Sequence, residues 1–590
     1  MKVDILQSLN SGQKEAVSYV DGPSVILAGA GSGKTRVLIY KVAYLITCKK
    51  VDPSSILMIT FTNKAAGEMK KRINNNQKTN LGYVGTFHSF GALLLRKEAE
   101  YIGLEKDYVI YDDDDQVSLM KSILKDKGIK KYTPYFVLNR ISMAKNMLIK
   151  PDKYLKVFSD YSARDLVDIY ALYEKTLATH HAVDFDDLIM KTVLLLTKNP
   201  SILNKYNNRF THILVDEFQD TNYAQYALTK LLGKKYGNVT VVGDFSQSIY
   251  SWRGAEIGNL QKFTDDFSPC RVFYLEQNYR SSQKILDFAY KVIQKNESHP
   301  ILKLYTKNIV GEDIPIYEAY DEEGEASYIV SEIEKSKEKI AYKSMAVLYR
   351  TNAQSRIIEE AFLQYGIPYV LIGGVRFYER REVKDVLSYL RLLINPSNDL
   401  ARDRIIKLGK KRWELFRIQY PALQKKAQNL TTSELIDQIF EETGYLTLYS
   451  LDNEEDYSRL ENIKELKSVA SRYPHVLDFL QQVALVESEY SEGEKKRKHK
   501  DGVRLMTLHQ AKGLEFPMVF IVGVEEGILP HVRAIDDPFQ LEEERRLFYV
   551  GITRAKDKLY ISFARRRFLY GRRGEGLKSR FLEDNESGIW

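Results

Sequence analysis

Short, fully apolar and β-branched runs recur through the chain, and they narrow its possible folds more than any other feature. "SVILAGAG", "ILMITFT", "HILVDEF", "NVTVVGD" and "RVFYLEQ" fall in the first half, each ending in a polar or glycine-rich turn that leads into a helical pattern. After residue 340 the same grammar returns in "MAVLYRT", "YVLIGG", "VRLMTLH", "MVFIVGV" and "KLYISFA". A strand that is apolar on both sides must be covered on both faces, and strands alternating with helices pair in parallel. Two stretches break the pattern. Residues from about 90 to 190 and from about 381 to 500 read as helices, as in "DDLIMKTVLLLTKN" and "ELIDQIFEETGY". The sequence therefore predicts an α/β fold of two parallel-sheet domains, each interrupted by a mainly helical insertion, within the roughly three to five domains expected of this length.

Composition removes several classes. Apolar residues make up 44%, which excludes wholesale disorder. The net charge of +8 is too small to identify a nucleic-acid binder by itself. Cys48 and Cys270 stand alone without metal-ligand spacing, which argues for a reducing compartment and against a disulfide framework or a zinc site. The N-terminal "MKVDILQSLNSGQ" lacks a signal-peptide layout, and no apolar run approaches the roughly 18 residues of a membrane span. The expectation is a cytoplasmic protein without a membrane partner.

The strand in "VILAGAGSGKT" runs straight into Ala28-x4-Gly33-Lys34-Thr35. Small residues from Ala28 through Gly29, Ala30, Gly31, Ser32 and Gly33 let backbone N–H groups curl around phosphate oxygens. Lys34 is then placed for the β- and γ-phosphates and Thr35 for Mg²⁺. The strict motif opens with glycine, but small size is the physical requirement at Ala28. "HILVDEFQD" delivers Asp216 and Glu217 at a strand end, where open α/β sheets bind ligands. Asp216 suits Mg²⁺, and Glu217 suits orienting and deprotonating an attacking water. Charge that spreads over a γ-phosphoryl group calls for cations, and Arg280 and Arg554 stand out by context. Together these residues point to ATP hydrolysis.

The same segments carry a wider resemblance. In order along the chain come "LNSGQKEAV", "AGAGSGKT", "TFTNKAAGEM", "GTFHSF", "DFDDLI", "VDEFQDTN", "VGDFSQSIYSWRGA", "LEQNYRS", "LYRTNAQSR", "TLHQAKGLEF" and "YVGITRAK". This set is similar to the UvrD/Rep/PcrA-type superfamily 1 DNA helicases. The resemblance implies two RecA-like motor domains, residues 1–89 with 191–275 (1A) and 276–380 with 502–590 (2A). It implies helical insertions at 90–190 (1B) and 381–501 (2B). ATP and Mg²⁺ would be the cofactors, and single-stranded DNA and its junctions with duplex the partners. The implied activity is 3′-to-5′ translocation and unwinding in repair, replication or recombination, by a chain that is a monomer in isolation. Carried over residue by residue, Gln13, Arg36, Tyr279 and Glu515 would hold the nucleoside, Gln247 the γ-phosphate or the water, and Arg280 and Arg554 the γ-phosphate from the far domain. Phe61, Phe185, Tyr250 and Trp252 would stack on bases. Asn63, His88, Arg253, Arg350, Asn352, Thr507 and His509 would follow phosphates and sugars, a sequence-independent mode of binding.

The chain departs from the family in places. The second insertion is shortened and reads "RDRIIKLGKKRWELF" where relatives carry an "RGIG"-like turn associated with duplex contact, and the segment after Arg554 is short. Phe245 and Ser246 stand where relatives often have acids. The clusters "KKRKHK" and "ARRRFLYGRR" offer other phosphate contacts or a solvated surface. The alternative to a helicase is a single-strand translocase that displaces proteins with little unwinding.

Overall fold

The computed structural model describes residues 5–77, 80–451, 453–496, 501–569 and 572–583. The chain divides into two compact units, Met1–Arg280 with Asn296–Asn308, and Ser281–Lys295 with Ile309–Trp590.

The first unit is built on six strands: β1 (Ser24–Ala28), β2 (Ile56–Thr60), β3 (Tyr83–Thr86), β4 (His212–Val215), β5 (Val239–Gly243) and β6 (Arg271–Leu275). They lie in the order β3-β2-β4-β5-β1-β6, and every pairing is parallel. Alternate residues point to opposite faces. Val25, Leu27, Leu57, Ile59, Ile213 and Val241 pack on one side with Phe87, Leu94 and Leu195. Ile26, Ala28, Ile56, Met58, Leu214 and Val242 pack on the other with Val37, Leu38 and Val42 of the helix Lys34–Thr47. The helices between residues 113 and 179 enclose a separate core that includes Met120, Ile141, Leu166, Tyr170 and Tyr173.

The second unit repeats the plan with β7 (Ile316–Ala319), β8 (Met345–Tyr349), β9 (Tyr369–Leu371), β10 (Val503–Thr507), β11 (Phe516–Ile521) and β12 (Ala555–Ala564). Their order is β7-β12-β11-β8-β10-β9, again parallel throughout. Here one continuous core joins Met345, Val347 and Phe520 of the sheet to Leu387, Phe416, Ile439 and Phe479 of the inserted helices.

All ten apolar runs are strands, so the α/β class with two parallel sheets holds. Two strands of the six-stranded sheets had no such run. Tyr83–Thr86 contains a glycine, and Ile316–Ala319 is half exposed; both are sheet edges, where one flank is uncovered and the apolar requirement lapses. The units part at Arg280 rather than at residue 275, and the first reclaims Asn296–Asn308. The cause is local: Tyr305–Thr306 pairs in parallel with Gln277–Asn278, which in turn is bound to the loop after β1. Among the described residues no helix is long and apolar enough to cross a membrane.

Candidate functional site

All six strands of the first sheet end on the same edge because all are parallel, and the loops leaving that edge carry most of the expected site. The loop after β1 is pinned through its carbonyls. Gly29 O accepts from Ser32 N (3.3 Å) and Ser32 Oγ (2.8 Å), and Ala30 O from Asn278 Nδ2 (2.7 Å). Gly31 O accepts from Tyr279 N (3.0 Å), and Ser32 O from Gln13 Nε2 (3.0 Å). In a planar trans peptide the next N–H points opposite to the carbonyl. Tying these carbonyls outward thus turns the N–H groups of Ala30, Gly31 and Gly33 to the other side, at the N-terminus of the helix Lys34–Thr47, the arrangement that binds phosphate. Gly31 has φ +64°, and a Cβ there would stand 2.7 Å from Asn278 Nδ2. At Gly29 a Cβ would meet Leu304 at 2.3 Å.

Lys34 Nζ lies 3.9 Å from Asp244 Oδ2 at the end of β5. Asp216, just past β4, is buried, and its carboxyl is pushed up to about 7 by burial and by the neighbouring Glu217 charge, with Lys34 opposing. Its Oδ1 accepts from Glu217 N (3.0 Å). Glu217 itself is half-buried in the left-handed region, φ 51° and ψ 43°, an unfavourable setting for a residue with a side chain and one found at functional sites. Gln219, fully buried, explains how it is held. Its Nε2 donates to Glu217 Oε2 (2.6 Å) and Asp220 Oδ2 (3.2 Å), while its Oε1 accepts from Asp244 N (3.0 Å). Asp244 closes the circuit by accepting from Gln247 Nε2 (2.6 Å) and Ser246 N (3.1 Å). Lys34, Asp216, Glu217 and Gln247 are thus brought into one polar network, with Gln219 and Asp244 as its hubs.

Hard oxygen donors at Thr35 and Asp216 suit Mg²⁺. Two adjacent carboxylates, the buried one leaning toward protonation, form a site in which a divalent cation would recover the ionised form.

Other residues expected at the nucleotide fall in the first unit. Gln13 is buried, and its Oε1 accepts from Asn10 N (3.3 Å) in addition to the bond its amide donates to Ser32. Tyr279 is 44% exposed, with its hydroxyl accepting from Asn10 Nδ2 (2.8 Å). Arg36 donates to Ser8 O (2.9 Å) and lies over Tyr40. Arg280 belongs to this unit as well, its N–H donating to Asn278 Oδ1 (2.7 Å).

Further along the same edge lies an aromatic surface. Phe61, directly after β2, stacks on Tyr250 with centroids 5.9 Å apart and planes at 12°. Tyr250 meets Trp252 edge-on at 6.4 Å, and the Arg253 guanidinium lies 4.5 Å from the Trp252 ring centre. Trp252 is 47% exposed, as is Phe185, whose ring meets His88 edge-on at 6.2 Å. Burial lowers the His88 pKa, which favours the neutral imidazole. Asn63 is exposed at the start of the helix Asn63–Gln77.

The remaining residues lie in the second unit. Asn352 follows β8, Thr507 ends β10, and His509 is half-buried two residues on. Arg350 grips Glu544 through Nε (3.0 Å to each oxygen) and Nη2 (2.7 Å). Burial alone would raise the Glu544 pKa, but Arg350 and the His531 amide hold it low. Arg554 is buried two residues past the helix Pro538–Ile552, donating to Val550 O (2.8 Å), Leu514 O (3.2 Å) and Thr553 Oγ1 (3.0 Å). Glu515 pairs with Lys556 at 2.7 Å. In the basic stretch "ARRRFLYGRR", Arg567 is buried between Glu325 and Glu525, 2.6 Å from each. Residues 570–571 and, in "KKRKHK", residues 497–500 lie outside the described residues.

Gln219 and Asn278 escaped the sequence reading, although both sit inside the quoted motifs "VDEFQDTN" and "LEQNYRS". An amide next to a candidate acid or tyrosine was the only signal available.

Comparison with known proteins converges on one family. Residues 9–268 match the UvrD/REP helicase N-terminal domain, and residues 273–415 and 410–566 match the UvrD-like helicase C-terminal domain. The chain is 41% identical to the ATP-dependent DNA helicase PcrA of Staphylococcus epidermidis over 637 residues, which take in 98% of this chain and 86% of that protein. It is also 41% identical to the ATP-dependent DNA helicase PcrA of Staphylococcus aureus over 635 residues, with the same coverage. Its two parallel α/β sheets are those of two RecA-like domains, and the chain belongs to the UvrD/PcrA-type superfamily 1 helicases.

Proposed function

We propose that this protein hydrolyses ATP with Mg²⁺ to move 3′-to-5′ along single-stranded DNA and to unwind duplex at a single-strand junction. One observation carries the reading. The loop Asp244–Arg253 is bound at its start into the Lys34–Glu217–Gln219 network and carries Tyr250, Trp252 and Arg253 at its end. One short segment thereby addresses a phosphate site and a stack of aromatics, and base stacking contributes about 1–3 kcal/mol per base without regard to sequence.

The loop N–H groups hold phosphate oxygens, and Lys34 offsets their charge. Thr35 and Asp216 would hold Mg²⁺, which when bound neutralises charge on the phosphates. Glu217, aimed by Gln219, orients the attacking water and accepts its proton. Gln247 responds to the γ-phosphate, and its bond to Asp244 passes that response into the loop bearing Trp252. For the second unit the reading keeps the assignments drawn from the family: Arg554 and Glu515 toward nucleotide, and Asn352, Thr507 and His509 toward DNA. Arg350 is assigned instead to holding Glu544, because its guanidinium is already engaged twice over. A cytoplasmic setting and a role in repair, replication or recombination follow from the same resemblance.

The test is ATP-driven unwinding of 3′-tailed and 5′-tailed duplexes. Unwinding of the 3′-tailed substrate alone is expected, and equal activity on both, or none on the first with no ATP-driven movement on single strands, overturns it. Movement along single strands without unwinding selects the protein-displacing translocase, which the missing glycine turn in the shortened insertion favours. Lys34→Ala or Glu217→Gln should lower the DNA-stimulated kcat at least about a hundredfold. Trp252→Ala should retain ATPase activity and lose translocation.

A further inference from the structure

Lys145 and Asn146 end the helix Pro134–Asn146 and touch neither phosphate loop nor aromatic ring of the DNA surface, yet both bear on the elements that do. Lys145 is fully buried. Its Nζ lies 2.5 Å from Glu174 Oε1, 2.6 Å from Asp184 Oδ2 and 3.0 Å from Asp187 Oδ1. Asp184 and Asp187 form the capping box of the helix Phe185–Lys198, with Asp187 N donating to Asp184 Oδ1 at 2.8 Å. The ammonium therefore grips the first turn of the helix whose first residue is Phe185. A buried lysine among carboxylates is an expensive way to gain stability, since apolar residues of similar volume often do as well; its distinctive return is a fixed geometry.

Asn146 bonds Asp186 in that same first turn and also reaches a second helix. Its Oδ1 accepts from Asn222 Nδ2 at 2.7 Å, and Asn222 caps the helix Tyr223–Gly233 five residues after Glu217. The turn that follows Trp252 and Arg253 lies beside this pair: a Cβ built at Gly254 would stand 3.6 Å from Asn146 Nδ2 and 3.7 Å from Asn222 Cβ. Two bonds to Thr221 hold the continuation of that loop, from Glu256 N (3.0 Å) and Asn259 Nδ2 (2.9 Å). One side chain of the helical insertion thus binds the segment leaving the nucleotide acids and lies beside the loop carrying the exposed tryptophan.

We propose that Lys145 and Asn146 are positioning residues for DNA engagement: Lys145 sets Phe185, and Asn146 sets the Trp252–Arg253 loop against the segment leading from Glu217. This rests on the DNA-translocating reading above. Full-length Asn146→Ala is the direct test, because a half-buried amide at a helix end is removed without emptying a core. Basal ATPase without DNA and the KM for ATP should stay within about twofold of the parent. The oligo-dT concentration giving half-maximal stimulation should rise about tenfold, the effect of one hydrogen bond and its attendant contacts. Asn222→Ala, which removes the other half of the bond, should give a comparable loss, and the Asn146→Ala/Asn222→Ala double variant should lose no more than the larger single loss. In the Trp252→Ala background Asn146→Ala should add nothing further. Stimulation equal to the parent, additivity of Asn146→Ala with Asn222→Ala, or additivity with Trp252→Ala each overturns the proposal. A parent protein that oligo-dT does not stimulate would overturn the functional reading, and this inference with it.

Discussion

The two helical insertions are attached to their sheets by different physics. In the second unit the inserted helices and the sheet share one apolar core, so Phe416, Ile439 and Phe479 belong to the same cluster as Met345 and Phe520. In the first unit the helices between residues 113 and 179 close a core of their own, and polar groups such as the Lys145 cluster and the Asn146–Asn222 bond face the site elements. Apolar burial is non-directional and spreads a perturbation through many contacts. A hydrogen bond sets a position and is lost at a single atom. The second insertion is built as part of its sheet's core, and the first as a separate body indexed onto the site.

The largest expected effect separates these two constructions. Phe479→Ala should cost about 3–5 kcal/mol and should lower hydrogen-exchange protection in the inserted helices and in Met345–Tyr349 together. Protection lost from the helices alone would break the claim of a shared core. Leu166→Ala should cost about 2–5 kcal/mol, yet its loss of protection should stay within residues 113–179 and leave Val239–Gly243 unchanged. A uniform loss across the first sheet would make the two insertions alike.

The pH response should sharpen the contrast between the units, with opposite signs. Lys41, buried against Ala16 O and Tyr19 O, is pushed by burial down to about 7. Its unfolded-state value is 10.5, so stability associated with the first unit should fall as pH drops from 10.5 toward 7 and level off below. Glu359 in the second unit is pushed by burial up to about 7, against 4.5 unfolded, so that unit should lose stability as pH rises from 4.5 to 7 and level off above. Each slope approaches about 1.4 kcal/mol per pH unit for one proton. Lys41→Met and Glu359→Gln should each flatten its own slope in denaturant titrations, and a slope unchanged in either variant removes that assignment. The smallest effect belongs to exposed pairs. Arg417→Ala, which breaks a solvent-facing pair with Glu414, should change stability by less than about 0.5 kcal/mol in the same assay.

Much of this was legible in the order of residues, because each feature is specified locally. Apolar runs flanked by turns declare buried strands wherever both faces are covered, and Ala28–Thr35 declares a phosphate loop because small residues, a lysine and a hydroxyl stand in one continuous stretch. The edge strands Tyr83–Thr86 and Ile316–Ala319 carried no such mark, since an edge relaxes the need for apolar residues on both sides.

Tertiary structure alone decided how the pieces are held. Gln219 joins Glu217 to Asp244, Asn278 reaches back to Ala30, and Leu304 closes over Gly29. Arg350, expected from its motif to follow phosphates, is held by Glu544. A strand or a phosphate loop is set by neighbours within a few residues, so its signal survives in the string of letters. A hydrogen bond between residues far apart depends on which strand ends the sheet brings side by side, and only folding establishes that.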